Sequence, residues 1–333
     1  MDIFPAQYST LSSKALGVFL AEKYNLKEVS CGLLIHNVSD TYILENSTNK
    51  YIFKIYRDNH RKLEEIMAEV ELLNLIHEQG GSVAHPIKDL NGEEIQAFNA
   101  AEGTRYGVLF TYALGVVVPN MSDEQLATVG KEMAKLHNIT SAVKLKNTRK
   151  PYSIETMLLR PLEVFKPAFE ELPGEYLFLE QTVHKIAKKI EALDLPNFSY
   201  GYCQYDFLPK NFHFAEDGKL TFFDFDFAGQ GHLINDVASF YIHYFLEVYG
   251  GKITQQEADK SFAVFIENYR KVRNLSDDEL SAIPYFGFAF WIFYLGFQYE
   301  NFDDWSCIFF NSNYLKHRTA LIKKWTEWYV KAL

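Results

Sequence analysis

Apolar positions change their spacing several times along the chain, and each change predicts an element. Over residues 10–24 they recur at helical intervals. From 30 to 56 the text turns to short apolar runs, "CGLLIHN", "TYILENS" and "KYIFKIYR", broken by polar turn formers. "ENSTNK", between the last two, reads as a hairpin turn. "RKLEEIMAEVELLNLIHEQGG" then puts Leu63, Ile66, Val70, Leu73 and Ile76 on one helical face and stops on paired glycines. Two more strand-like runs follow, "EEIQAFNA" and "RYGVLFTYALG". After Gly115 the pattern becomes helical. "MSDEQLATVGKEMAKLHNI" opens with Ser122 and has Gln125 three residues on, a capping box, with Leu126, Met133 and Leu136 repeating behind it. Another helix is expected over 175–193, before Pro196, and aromatic-rich helical segments run on to the C-terminus.

One short region departs from both periods. In "NFHFAEDGKLTFFDF", Phe212 and Phe214 alternate with His213, Asp217-Gly218 is a hairpin signal, and Leu220, Phe222 and Phe223 return. Asn211 enters this hairpin where Asp224 leaves it, and Asp206 lies on the loop leading in. The turn therefore gathers three oxygen-bearing side chains at one end of a hairpin, among neighbours too apolar for a solvated loop. Such ligands suit Mg²⁺, which takes one or two carboxylates and completes its shell with water and phosphate oxygens. Phosphoryl transfer further needs a metal-free carboxylate to accept the proton of the attacking hydroxyl. Asp206 is the candidate base, and Asn211 and Asp224 the candidate metal pair. A kinase catalytic loop has the same Asp-to-Asn interval.

Composition narrows the class. The 333 residues are 48% hydrophobic, enough for a sizeable core and for two lobes. A net charge of -10 argues against a dedicated nucleic-acid partner. Cys31, Cys203 and Cys307 are far apart and odd in number, which suits a reducing cytosol, and no signal peptide is evident, so the expected location is cytoplasmic. "AIPYFGFAFWIFYLGF", 282–297, is uncharged, but it is short for a membrane span, carries Pro284, Gly287 and Gly296, and has acidic flanks. It reads as a buried core helix, with no membrane partner. The order of elements is the α+β, bilobal layout of a kinase: a β-rich N-terminal lobe over 1–112 and a larger helical lobe over 113–333.

"QYDFLPKNFHF", "LTFFDFDFAGQG" and "NDVASF" together resemble the aminoglycoside phosphotransferase superfamily of small-molecule kinases, whose usual pattern is HGDxxxxN, an IDFD-like metal motif with AG, then DLA. Asp206, Asn211, Asp224 and Asp236 fall on the base, the two metal ligands and a structural aspartate of that pattern. The resemblance implies a protein-kinase-like fold and transfer of the γ-phosphate of ATP, with GTP as an alternative donor, to a small-molecule hydroxyl. It also implies that Lys54 in "YIFKIYR" holds the phosphates and pairs with Glu69, with Glu65 and Glu71 as fallbacks. The turn in "HNVSDTYIL" would cover the phosphates with amides from Asn37 to Thr41 and with Ser39. The backbone at Tyr112 and Leu114 would read adenine.

Gln204 and Tyr205 replace the family's His-Gly. Gln204 has the donor and acceptor needed to brace the metal loop, whereas Tyr205 is expected to need φ below zero and room for a ring. Asp226, alternating with Asp224 across Phe225, is expected on the opposite strand face, and Lys210 is expected in solvent. A protein Ser/Thr kinase and a nucleotide-binding pseudokinase are the alternatives. Only about a dozen residues separate Asp224 from Asp236, with no APE segment, which leaves little room for a peptide platform. The acceptor is expected among the C-terminal aromatics Phe286, Phe290, Trp291, Tyr294, Tyr299 and Trp305 and the acids Glu300, Asp303 and Asp304. That mixture would suit a cationic amine, although most of these rings should fill the core.

Overall fold

The computed structural model describes residues 5–301 and 310–330. The chain divides into two compact units, Met1–Leu114 with Leu145–Thr148, and Gly115–Lys144 with Arg149–Leu333.

In the first unit, α1 (Ser13–Lys23) precedes β1 (Ser30–His36), β2 (Ser39–Glu45) and β3 (Lys50–Tyr56). Then come α2 (Leu63–Glu78), β4 (Ile95–Ala100) and β5 (Gly103–Thr111). The strands form one antiparallel sheet in the order β1-β2-β3-β5-β4. β3 is central and paired on both sides, which explains its nearly continuous apolar text and places Lys54 opposite Thr41 and Val108. Leu16 and Leu20 of α1, with Tyr24 just beyond its end, bury against Tyr42, Leu44, Phe53, Ile55 and Leu109 of the sheet. Helix α1 starts at 13 rather than 10 because Ser12 caps it, accepting from the Ala15 amide.

The second unit begins with α3 (Asp123–Thr140), where both reciprocal bonds of the Ser122–Gln125 capping box form. It continues with α4 (Arg160–Phe165), α5 (Pro173–Glu191) and the strands β6 (Tyr200–Cys203), β7 (Phe212–Phe214), β8 (Leu220–Phe222) and β9 (Gly229–His232). It ends with α6 (Ile234–Tyr249), α7 (Gln255–Arg270), α8 (Asp277–Asn301) and α9 (Ser312–Tyr329). β7 and β8 are the expected hairpin, turning at Asp217-Gly218, and α5 is the expected helix shifted so that Pro173 sits in its first turn.

The pairing of β6 with β9 has no apolar alternation in "GQGH" to announce it. The glycines there serve close packing instead. A Cβ on Gly231 would stand 2.9 Å from the Tyr152 Cβ, and one on its partner Gly201 would stand 2.8 Å from the Ser141 Cα. Helix α8 contains the uncharged stretch. It is long and apolar enough to cross a membrane, yet 67% of its most apolar window is buried within the protein. The α9 indole of Trp325 lies against Gly287 and donates to the Pro284 carbonyl at 2.9 Å. Phe286, Phe290 and Trp291 are buried, as expected of core rings. The chain thus has the α+β, bilobal, protein-kinase-like fold.

Candidate active site

The loop after β6 is pinned by buried side chains of α6. Asp236, in the first turn of α6, accepts the Gln204 amide at 2.9 Å and the Tyr205 amide at 2.7 Å. His137 of α3 lies 3.1 Å from the same carboxylate and 2.7 Å from the Tyr269 hydroxyl, and Asp236 and His137 are both fully buried. Ser239 takes the Phe207 amide at 3.0 Å. A buried carboxylate receiving backbone donors and an imidazole fixes its loop firmly, because each donor would otherwise be stranded. Asp236→Asn turns an amide NH₂ toward those donors and should cost about 3–5 kcal/mol of stability. Urea denaturation checks this, and a loss under about 1 kcal/mol would contradict the bracing role.

Asp206 follows directly and is only 3% exposed. Its Oδ2 accepts from Asn211 Nδ2 at 2.9 Å and from Lys210 Nζ at 2.8 Å, while its Oδ1 is buried without a hydrogen-bond partner. Asn211 Nδ2 also reaches the Asp206 carbonyl at 2.8 Å, so that nitrogen is committed and the amide oxygen is left for a ligand. At the neck of the hairpin, Phe223 N donates to the Asn211 carbonyl at 2.9 Å, and Gln204 Nε2 donates to the carbonyls of Phe223 (2.7 Å) and Asp224 (3.3 Å). Gln204 therefore does brace the loop that carries Asp224. Burial raises the Asp206 pKa from its ordinary value, Lys210 opposes this, and the charge of Asp224 adds to the rise. Asp206, Asn211 and Asp224 are thus brought together.

That donor set fits Mg²⁺. Asn211 and Asp224 offer oxygens only, and the repulsion of Asp224 with the neighbouring Asp206 is one that a divalent cation relieves. Among the described residues no group of three His, Cys, Asp or Glu side chains is placed to hold a metal.

Two expectations need correction. Tyr205 takes φ +72°, not a negative value. A left-handed conformation costs about 1–2 kcal/mol for a residue with a Cβ. The ring offsets that cost by stacking on Tyr152 at 3.7 Å and 5°, with Phe293 edge-on at 4.8 Å. Asp224 takes φ +60° in irregular chain beyond the end of β8, so strand alternation does not govern Asp226. The carboxylates of Asp206, Asp224 and Asp226 all act on the Tyr294 phenol. Lys210 is exposed, as expected, and its ammonium also pairs with Asp206 Oδ2; the i,i+4 spacing to Asp206 was the available signal.

Sequence reasoning also missed a clamp on the loop that follows Asp224. Arg149 Nε donates to the Ala228 carbonyl at 2.7 Å, and its Nη2 donates to the carbonyls of Phe225 (3.2 Å) and Asp226. The Tyr152 hydroxyl donates to the Phe227 carbonyl, and the Tyr152 amide to Gln230 at 2.6 Å.

In the first unit, Lys54 is 8% and Glu69 2% exposed, on β3 and on the buried face of α2. The fallback glutamates are used elsewhere: Glu65 closes the start of α2 on the Lys62 amide at 3.2 Å, and Glu71 accepts the Lys146 amide at 3.0 Å. Ser39 is buried at the β1–β2 turn. The Asn37 and Val38 amides are spent inside that turn, on the Ser39 carbonyl and the Asn37 side chain. The turn is anchored by Asp40, which binds Arg105 (3.1 Å), Tyr8 (2.8 Å) and His36 (2.6 Å). Tyr112 is half-buried under the Lys50 ammonium, and Leu114 is exposed.

A bilobal kinase fold with an aspartate–asparagine–aspartate site defines a class, and sequence comparison gives the family. Residues 34–274 match the phosphotransferase enzyme family (APH), and the chain belongs to it. The homoserine kinase of Paramagnetospirillum magneticum is 25% identical over 287 residues, covering 84% of this chain and 83% of that one. In structure the chain is similar to amicoumacin kinase hAmiN in complex with AMP-PNP, Ca²⁺ and Ami, with a TM-score of 0.76 and 20% identity over 95% of this chain and 94% of that one. It is also similar to the microcompartment-associated aminopropanol kinase, with a TM-score of 0.75 and 18% identity over 94% and 98% of the two chains. The protein is a phosphotransferase that uses an alcohol group as acceptor.

Proposed function

We propose that the chain transfers the γ-phosphate of ATP to a hydroxyl of a small, amine-bearing molecule, in the cytoplasm. The observation that carries this reading is the state of Asp206. One carboxylate oxygen is held by Asn211 and Lys210, and the other is buried with no hydrogen-bond partner. Leaving such an oxygen unpaired is costly unless a substrate donor completes it. In this reading Asp206 takes the proton of the acceptor hydroxyl as that oxygen attacks phosphorus, and ADP leaves with the bridging oxygen. Asn211 and Asp224 would hold Mg²⁺, which supplies neutralising charge at the phosphates when bound. Lys54, oriented by Glu69, holds the α- and β-phosphates, Ser39 assists at the β1–β2 turn, and the backbone at Tyr112 and Leu114 takes the adenine.

A small acceptor is favoured over a protein because the chain between Asp224 and Asp236 is consumed by a turn, β9 and the start of α6. The test is Mg-dependent ADP release across hydroxylated amines and antibiotics. Acceptor-dependent release is expected, and release only with protein substrates would overturn the reading.

A further inference from the structure

Among the described residues, the half-buried cation Arg318 pairs with no acid. Arg318 of α9 is half-buried, and its guanidinium sits over the rings of Trp291 (5.4 Å) and Tyr314 (5.2 Å). Its Nε and Nη2 both donate to the Tyr314 hydroxyl at 3.2 and 2.9 Å, and that hydroxyl in turn donates to Gln298 Oε1. Among the described residues no carboxylate pairs with it. Glu300 of α8 is exposed and turned to Arg160 at 3.6 Å, and Glu327 of α9 pairs with Lys324 at 2.6 Å. Asp303, Asp304 and Trp305 lie outside the described residues.

The position matters as much as the missing partner. One turn after Trp291 on α8, the phenol of Tyr294 lies in the field of Asp206, Asp224 and Asp226, and Arg318 acts on it with the opposite sign. Phe290, which touches Tyr294 at 5.0 Å, also touches Tyr205 at 5.6 Å, next to the base. An aromatic wall of this sort would usually receive a ligand cation, but here the protein itself supplies the cation to the wall. What is wanted from the ligand is therefore the opposite sign. A guanidinium prefers a planar oxyanion, and two of its donors are already turned to Tyr314. Three carboxylates nearby make a dianion costly, so a monoanion fits better than a phosphate.

We propose that Arg318 binds a carboxylate on the acceptor, which makes the substrate a hydroxylated carboxylic acid, and a hydroxy amino acid where the amine is also present. This rests on the phosphotransfer reading above and narrows its acceptor.

The test uses pairs that differ only by the carboxylate: L-homoserine with 3-aminopropan-1-ol, and L-serine with ethanolamine. ADP release is followed for wild type, Arg318→Gln and Arg318→Lys, with thermal melting to confirm folding. A charge-assisted hydrogen bond of about 1.5–3 kcal/mol corresponds to roughly a 10- to 100-fold preference in kcat/KM for the carboxylate member. That preference should fall to about one in Arg318→Gln and survive in part in Arg318→Lys. A merely structural role would slow both members alike and leave their ratio unchanged. Preference for the amino alcohols, or a carboxylate preference that persists in a folded Arg318→Gln, overturns the inference and leaves phosphotransfer standing. Release with antibiotics but with no carboxylate does the same. Release with no acceptor of any kind removes the inference together with the small-acceptor reading.

Discussion

Replacing Asp206 by asparagine is expected to lower kcat by about 10²- to 10⁴-fold, the usual contribution of a positioned general base. The substitution is nearly isosteric, so the fold should persist and the protein should still bind Mg-ATP. The reason lies in how the carboxylate is held. Asn211 and Lys210 fix Oδ2, and the Asp206 carbonyl is tied to the Asn211 amide, so the side chain cannot rotate away from its task. The pinning of the preceding amides by Asp236 does not depend on the carboxylate that is lost. Stopped-flow turnover with a working acceptor, set beside nucleotide binding by calorimetry, separates the two effects. Turnover at the wild-type rate would remove the base role. Loss of nucleotide binding would place Asp206 on the metal instead.

Asp224→Asn should be as damaging, but with a different signature. Losing a metal-binding carboxylate forfeits several kcal/mol of charge stabilisation at the transferring group, about 10³-fold in rate. Because Asn211 would remain, part of the activity should return at raised Mg²⁺, which Asp206→Asn should not show. The carboxylates of Asp206 and Asp224 repel each other in the free protein. Neutralising Asp224 should therefore leave stability unchanged or slightly improved, as read from urea denaturation. A variant that is inactive because it is unfolded would contradict the assignment of Asp224 to function.

Much of this was legible because it depends on local signals. The Ser122–Gln125 box, the Asp217-Gly218 turn and the apolar central strand around Lys54 each follow from a few adjacent residues, and each appears where the chain text places it. The hairpin alone was enough to carry Asn211 and Asp224 to one place. What escaped depends on partners distant in sequence. The positive φ of Tyr205 is supported by the ring of Tyr152, more than fifty residues earlier, and the β6–β9 pair is held by glycines chosen for close approach rather than for strand preference. The Arg149 clamp grips backbone carbonyls, which carry no residue-type signal at all. The Lys210–Asp206 pair is an exception, because its i,i+4 spacing was a local signal.

The most direct measurement is anomalous diffraction from crystals grown with Mn²⁺ and a non-hydrolysable ATP analogue. A metal peak about 2.0–2.3 Å from Asn211 Oδ1 and a carboxylate oxygen of Asp224, with Asp206 outside its coordination shell, is the predicted result. A metal bound by Asp206 itself, or a nucleotide whose phosphates lie away from Asn211 and Asp224, would contradict it.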